Sequence, residues 1–436
     1  MPESERSSLV RAIGRWSLAA LVVNSVIGSG IFGLPSDVAR LIGRASQWAV
    51  LLAGAAAGVI MACFAEVASQ FTQAGGPYLY VRAAFGRLLG IEMGWMLWLV
   101  RLAAPAATAD LFVIYCGEFW PQVKEPLPRF LILTFLYGLL TVINYRGVRA
   151  STMVSNVFTV AKLVPLFLVA IAGAIYLAAG HRAISVLPTG VGASAWLKAC
   201  LLLVFAYGGF ETALTPLGEA RNPRRDAAFA LFMSLVTCTV LYTAIQWVVI
   251  GVLPDPAHSE RPLADVARLA LGRGGAAFVS VGALVSVYGY LSANMLGVPR
   301  ITFALAENGD FPSIFAAIHP RFRTPYVSIL AFALLSWLLA LFGNFTWNAT
   351  LSAVARLLYY GLVCAALPIF RCKQPEAAMF RLPGGKYLAV LGTAICVVLI
   401  AGVSLSGSLI LLATALVALI NWMIVRKKRQ RDPAAA

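Results

Sequence analysis

Charge is scarce in this chain. Only 12% of its 436 residues are Asp, Glu, Lys or Arg, against 60% that are apolar, and the mean hydropathy is +0.84. A soluble domain could not bury that much apolar surface behind so few charges, so that class is excluded. Histidine is nearly absent: His181, His258 and His319 all fall near loops. With no HExxH and no Ser/His/Asp spacing they leave no catalytic centre to propose, and the chain does not read as an enzyme. Cys63, Cys116, Cys200, Cys238, Cys364, Cys372 and Cys396 have neither zinc nor disulfide spacing. They are expected to be ordinary buried thiols, with no metal site and no cofactor. Long polar loops are missing too. The longest is expected near Pro254 to Arg273, and no segment is left for a sizeable soluble domain.

What the chain has is apolar stretches long enough to cross a hydrocarbon core of ~30 Å. About twelve recur along its length, centred near Gly28, Gly58, Val100, Tyr137, Leu166, Ala206, Thr239, Val285, Phe332, Leu357, Ala394 and Ala415. The expected class is therefore an all-α integral membrane protein. The formal charge of +16 does not point to nucleic acid. If the spans alternate from an N-terminus inside, about 22 of the 34 basic residues face the cytoplasm and about 9 face outward. That bias puts both termini, 1–15 and 426–436, in the cytoplasm. The basic run Arg426 to Arg431 would face anionic lipid of the plasma (inner) membrane. Arg6, Arg11 and Arg15 precede an apolar run without an obvious small-residue cleavage site, so the segment is expected to be retained.

Two of the longest apolar stretches are interrupted by glycine. Trp16 to Leu41 is cut by Gly28-Ser29-Gly30, and Ala195 to Leu217 by Gly208-Gly209. A membrane helix gives up its internal hydrogen bonds only where the freed backbone is buried in protein or lines a cavity. Paired breaks at matching positions in two halves point to a transporter's substrate site. The breaks, about 180 residues apart, open two sets of five spans, 16–180 and 194–371, with spans at 386–425 outside the pairing. An odd number of spans per set makes the second copy inverted. At the first break the N–H groups of Ser29, Gly30 and Ile31 could take a carboxylate. The carbonyls of Val26, Phe205, Ala206 and Gly208 offer the opposite polarity, suited to an ammonium. A zwitterion such as an α-amino acid would use both. The competing reading is that the glycines serve close helix packing.

Four blocks carry a resemblance. Asn24 to Phe32 followed by Leu34-Pro35 resembles the first-span signature of the amino acid–polyamine–organocation (APC) transporters. The segment Ala74 to Gly86 is similar to that family's first cytoplasmic loop. Phe205 to Glu211 with Gly218 to Arg225 resembles its sixth span. Arg300, Ala304 to Pro312, His319-Pro320 and Thr324-Pro325 form the fourth block. The resemblance implies a LeuT-like fold, a 5+5 inverted repeat with broken helices 1 and 6 plus two C-terminal helices, moving amino acids or related amines by alternating access. It implies that Ser29 and Gly30 bind the substrate carboxylate and that Val26, Phe205 and Gly208 receive the ammonium, with Gly28, Ile31, Ala206 and Gly209 completing the site. Phe205 would close over the substrate, flanked by Tyr207 and Phe210 as gating aromatics.

Charged residues inside spans are expensive and need a partner or a use. Lys162 lies about ten residues into its span, roughly 15 Å along a helix. Its surroundings resemble family members in which a lysine occupies the place where sodium-coupled relatives hold Na⁺. The ammonium could then bridge the first break to Ser286, Tyr290 or Asn294, and sodium coupling is not expected. Glu211, one residue past the second break, suits either a carboxyl that carries a proton or a packed Glu–Arg pair. Arg101, Asp110 and Arg356 are expected to pair mutually, and Glu66 to be structural. The expected function is a sodium-independent secondary amino acid transporter, proton-coupled or exchanging, in the lipid bilayer, with no obligate partner chain. Gly208-Gly209 suggests room for a side chain, which favours neutral amino acids. Two alternatives remain: a polyamine or organic cation carrier, and a membrane amino acid sensor that does not transport.

Overall fold

The computed structural model describes residues 14–71, 76–146, 152–183, 191–213, 222–373, 378 and 380–431. The segments 1–13 and 432–436, Ala74-Gly75 and Gly218 to Arg221 lie outside the described residues. Every regular element is helical among the described residues. This follows from the solvent: within lipid each backbone N–H and C=O must be satisfied internally, which an unbroken helix does within one segment.

The first apolar stretch is not one helix but two, α1 (Arg15–Val26) and α2 (Gly30–Ile42), followed by α3 (Ser46–Ala68). The loop after α3 contains a short helix, α4 (Gly76–Phe85). Then come α5 (Arg87–Cys116), α6 (Pro126–Tyr145) and α7 (Thr152–Ala178). The second interrupted stretch is α8 (Ala193–Tyr207) and α9 (Phe210–Ala213), followed by α10 (Pro223–Val252) and α11 (Pro262–Glu307). The chain closes with α12 (Tyr326–Phe342), α13 (Phe345–Lys373), α14 (Gly385–Ile400) and α15 (Leu405–Arg431).

Among the described residues, eight helical segments are long and apolar enough to cross a membrane, and three shorter ones are apolar. The expected number was about twelve. Part of the difference lies in the first stretch, where Gly28 and Ser29 divide what hydropathy reads as one span into two helices of 12 and 13 residues. The loop expected at Pro254 to Arg273 is also corrected. From Pro262 it is helical, kinked at Gly272 (φ 77°), and its Leu263, Ala264, Val266 and Ala267 are buried, so apolar packing rather than solvent holds it.

The broken helices lie within the bundle. α1 packs on α10 and α9, α2 on α8, and α8 on α3 and α13, while α5 contacts α13 and α11 and α7 contacts α11 and α10. α6 and α15 sit outside, with side chains such as Phe135 (71% exposed) and Leu405 (78%) turned outward.

Candidate functional site

The first break leaves its backbone groups in distinct hands. α1 ends with carbonyls that are claimed by other helices: Lys162 Nζ on α7 donates to Asn24 O (2.9 Å) and Ile27 O (3.0 Å). No hydrogen bond from Lys162 reaches Ser286, Tyr290 or Asn294 among the described residues, so the ammonium caps α1 rather than bridging to α11. Tyr242 on α10 places its hydroxyl 3.1 Å from both Val26 O and Ala206 O. That side chain ties the two breaks together, and no spacing in the sequence singled it out. α2 begins at Gly30 with the N–H groups of a helix start, which have no intrahelical acceptor. Neither backbone nor side chain accepts from Ser29, Gly30 or Ile31 N–H among the described residues. Ser29 Oγ lies 2.8 Å from Thr108 Oγ1, and Thr108 itself donates to Ala104 O. The Ser29 hydroxyl therefore spends its proton on Thr108, leaving the amides as the donors at this point.

At the second break Gly208 is extended (φ −75°, ψ 164°) and Gly209 has φ +109°. Glu211 accepts from Gly209 N (3.0 Å), Tyr359 Oη (2.8 Å) and Tyr360 Oη (2.8 Å), and its Oε1 lies 3.2 Å from Arg356 Nε. This is the packed Glu–Arg arrangement, with two tyrosines added. The two breaks adjoin: a Cβ on Gly30 would come within 2.9 Å of Ala206 Cα. Gly30 therefore also serves close helix packing.

A cavity of about 480 Å³ lies against both breaks. Val26, Gly28, Ser29, Gly30, Phe205, Gly208, Gly209 and Lys162 line it. Ile31, Ala206, Tyr207, Phe210 and Glu211 do not. Tyr207 turns to α3, where its hydroxyl donates to Val50 O (3.0 Å), and Phe210 packs edge-on to Phe64 and against Tyr360. Of the three aromatics expected at the gate, Phe205 alone faces the cavity, and its ring meets Phe345 at 6.2 Å between centroids. The cavity wall on α11 runs from Ser286, 5% exposed, to Ile301, 47% exposed. The cavity thus opens toward the C-terminal end of α11. On the opposite side Phe345 packs on Phe205 and Gly33, and Tyr115 Oη donates to Phe32 O (3.0 Å).

The remaining intramembrane charges correct the expectation of mutual pairing. Asp110 pairs with Arg129 on α6 (2.9 Å) and with Asn348, and Arg356 with Glu211. Arg101 donates to Thr212 Oγ1 (2.7 Å). Asp110 stands about half a turn round α5 from Arg101 and so reaches α6, whereas Arg101 and Arg356 both reach α9. Glu66 accepts two bonds from Arg371 (2.6 and 2.7 Å) and one from Leu382 N, a fixed structural role. Asn24 Oδ1, at the cavity, is buried and without a hydrogen-bond partner among the described residues.

The amino acid permease family profile matches residues 13–430. The chain belongs to the amino acid permease family. It is similar to a methylthioribose transporter of Bacillus subtilis (strain 168), 28% identical over 90% of this chain and 88% of the relative. It is also similar to the branched-chain amino acid permease BcaP of the same organism, 26% identical over 98% of this chain and 96% of that one. A third relative is the cationic amino acid transporter 3, mitochondrial, of Arabidopsis thaliana, 29% identical over 84% of this chain and 63% of the plant protein. The permease is a multi-pass membrane transporter and not an enzyme.

Proposed function

We propose that this permease is a sodium-independent amino acid transporter working by alternating access. The observation that carries the reading is the pair of helix breaks against one cavity, with free amides at the start of α2 and Lys162 held on the carbonyls at the end of α1. Unpaired amides at a helix N-terminus favour a carboxylate. Asn24 Oδ1 and the carbonyls around Phe205 and Gly208 offer acceptors for an ammonium. The Lys162 ammonium supplies positive charge to the α1 carbonyls, which is what a bound sodium would otherwise do.

In this reading the fold is the LeuT-like 5+5 arrangement with about twelve spans, 16–180 and 194–371 being the two repeats. Both termini are cytoplasmic and the membrane is the inner (plasma) membrane. The half-exposed Ile301 end of the cavity then faces the cytoplasm, and the packed Phe205–Phe345 side faces out, an inward-open state. Phe205 is the gating aromatic, and Tyr207 and Phe210 have no part in the gate. Lys162 is the coupling group. Glu211, neutralised by Arg356 and held by two tyrosines, fits the structural alternative better than proton carriage.

The substrates in the relatives' names differ: a methylthioribose, branched-chain amino acids and cationic amino acids. No one of them transfers by name. The test is counterflow in proteoliposomes preloaded with a mixed amino acid pool, without sodium, with and without a pH gradient. Accumulation of a few labelled amino acids without sodium supports the reading, and gradient dependence of net uptake selects proton symport over exchange. If folded protein accumulates no amino acid, the alternatives return: a carrier of polyamines or organic cations, or a sensor that does not transport.

A further inference from the structure

The charge lining the cavity is of one sign. Arg101 on α5, Lys162 on α7 and Arg356 on α13 face it, and no carboxylate does among its lining residues. Glu211 stands behind Arg356, with both its oxygens occupied by Arg356, Tyr359, Tyr360 and Gly209 N. One carboxylate against two guanidinium groups leaves one guanidinium in excess. Arg101 makes one hydrogen bond, to Thr212, and no ion pair among the described residues. Arg356 is only 5% exposed; its Nε lies 3.2 Å from Glu211 Oε1 as an ion pair outside hydrogen-bond geometry, and its guanidinium makes no further polar bond among the described residues.

The position of Arg356 is built in. A Cβ on Gly208 would overlap its guanidinium, so the glycine at the second break makes room for an arginine and not for a substrate side chain. That overturns the expectation of open space at Gly208-Gly209. Glu211 balances one of the two guanidinium charges, and the second, half-buried on Arg101, is costly to hold at the cavity wall unless another anion joins it. Arginine offers a planar fork of donors matched to a carboxylate. Two such forks on contacting helices, at the wall of a cavity that also meets the free amides of the first break, offer two anion positions in one site.

We propose that the site is specific for acidic amino acids: the α-carboxylate lies on the Ser29–Ile31 amides and the side-chain carboxylate between Arg101 and Arg356. This deepens the transporter reading and rests on it. Neutral amino acids would leave the excess guanidinium unpaired. Cationic side chains and polyamines would meet the uncompensated charges of Arg101 and Lys162, a repulsive element that specificity commonly uses. Arg101 and Arg356 are then the residues that set substrate class, while Lys162 remains on the α1 carbonyls.

The experiment is proteoliposome counterflow with labelled glutamate, aspartate, leucine and lysine, each against a mixed internal pool. Glutamate or aspartate should accumulate at least tenfold more than leucine or lysine. Arg101→Met should bring the acidic label down to the level of leucine, and Arg101→Lys should restore part of it. Arg356→Met would strand Glu211 and could unfold the protein. Arg101, whose partner is a neutral threonine, is therefore the primary variant, and glutamate-induced thermal stabilisation in detergent is its second readout. Wild-type protein should gain melting temperature with glutamate and not with lysine, and Arg101→Met should lose the gain. Accumulation of leucine or lysine equal to glutamate overturns the specificity while leaving an amino acid carrier. Unchanged glutamate uptake in Arg101→Met does the same. If no label accumulates from folded protein, the transporter reading fails and this proposal with it.

Discussion

Gly209 lies against Ser25 so closely that a Cβ on the glycine would run into the Ser25 carbonyl oxygen. The φ of +109° at Gly209 adds a conformation that side chains resist. Gly28, in the other break, has nothing nearer to its missing Cβ than Val26 O at 3.9 Å, and it lines the cavity. The two glycines therefore separate fold from function. Gly209→Ala should destabilise the protein by about 1–3 kcal/mol, visible as a melting temperature several degrees lower in detergent. Gly28→Ala should keep the wild-type melting temperature and lower uptake at least tenfold, because a methyl group would stand between substrate and amides. Normal uptake by Gly28→Ala would remove the amide cradle from the site. Gly30 is the poorer probe, since a side chain there strikes Ala206 before it reaches any ligand.

The Tyr242 hydroxyl serves two carbonyls, Val26 O and Ala206 O, each at 3.1 Å. It can donate to only one at a time, so it links the two breaks without locking either. Removing it in Tyr242→Phe should cost about 1 kcal/mol of stability. It should slow exchange about five- to tenfold, in proportion to the loss of a bond that must break or reform between states. A variant that exchanges at the wild-type rate with a lowered melting temperature would make Tyr242 a packing residue only.

The breaks were legible because glycine in a membrane span is a local signal: Gly28 and Gly208-Gly209 mark where α1 and α8 end. Lys162 and Glu211 were legible as charges that need partners. Their partners were not, since they come from residues far away in the chain: Asn24 lies 138 positions from Lys162, and Tyr359 lies 148 from Glu211. The expected pairing of Arg101, Asp110 and Arg356 failed for the same reason. Which face of a helix a side chain takes depends on its neighbours, and Arg129, assigned to no pair, turned out to hold Asp110. Tyr207 and Phe210 show the limit most plainly. Next to a break in sequence, they turn away from the cavity: Tyr207 stands about 200° round α8 from Phe205 and bonds Val50 O, and Phe210 packs on Phe64 and Tyr360. Tyr242 carried no signal at all, being one aromatic among many in an apolar span.

Asp310, in the turn after α11, gathers three donors: Tyr78 and Arg82 from α4 and Arg87 from the start of α5. Its own carbonyl accepts from Asn421 on α15 (2.7 Å). Burial, and then the Asp310 carboxylate beside it, pushes the Tyr78 hydroxyl up to about 12, so it remains a donor. A raised phenol contributes fully below its unfolded value near 10 and loses that contribution as pH climbs through about 12. Asp310→Asn leaves Arg82 and Arg87 without their carboxylate. It should cost about 3 kcal/mol, the lower end for a buried pair because both arginines are partly exposed. Tyr78→Phe should cost about 1 kcal/mol, by an amount that does not vary between pH 6 and 9. Melting curves of the two variants across that range check both statements. Equal melting temperatures for Asp310→Asn and wild type would mean that the cluster does not hold the α4 helix in place.

Lys162 decides the coupling question. Its ammonium caps Asn24 O and Ile27 O, the carbonyls that α1 leaves open at the break. Lys162→Ala removes both bonds and the charge, so the end of α1 loses what holds it against α7. Uptake should fall at least tenfold, and the loss should appear in the step that returns the empty carrier, since substrate itself offers an ammonium to nearby acceptors. Measuring net uptake and exchange separately in proteoliposomes distinguishes the two steps: net uptake should drop more than exchange. The same assay repeated with sodium tests the substitution of one cation for another. No recovery with sodium is expected, because truncation to alanine supplies none of the oxygen ligands that a sodium site needs. Recovery would mean that the carbonyls alone suffice to bind the metal and that lysine stands in its place. Wild-type rates for net uptake and exchange alike would put Lys162 with Glu66 and Asp310, among the charges that hold the bundle together without taking part in transport.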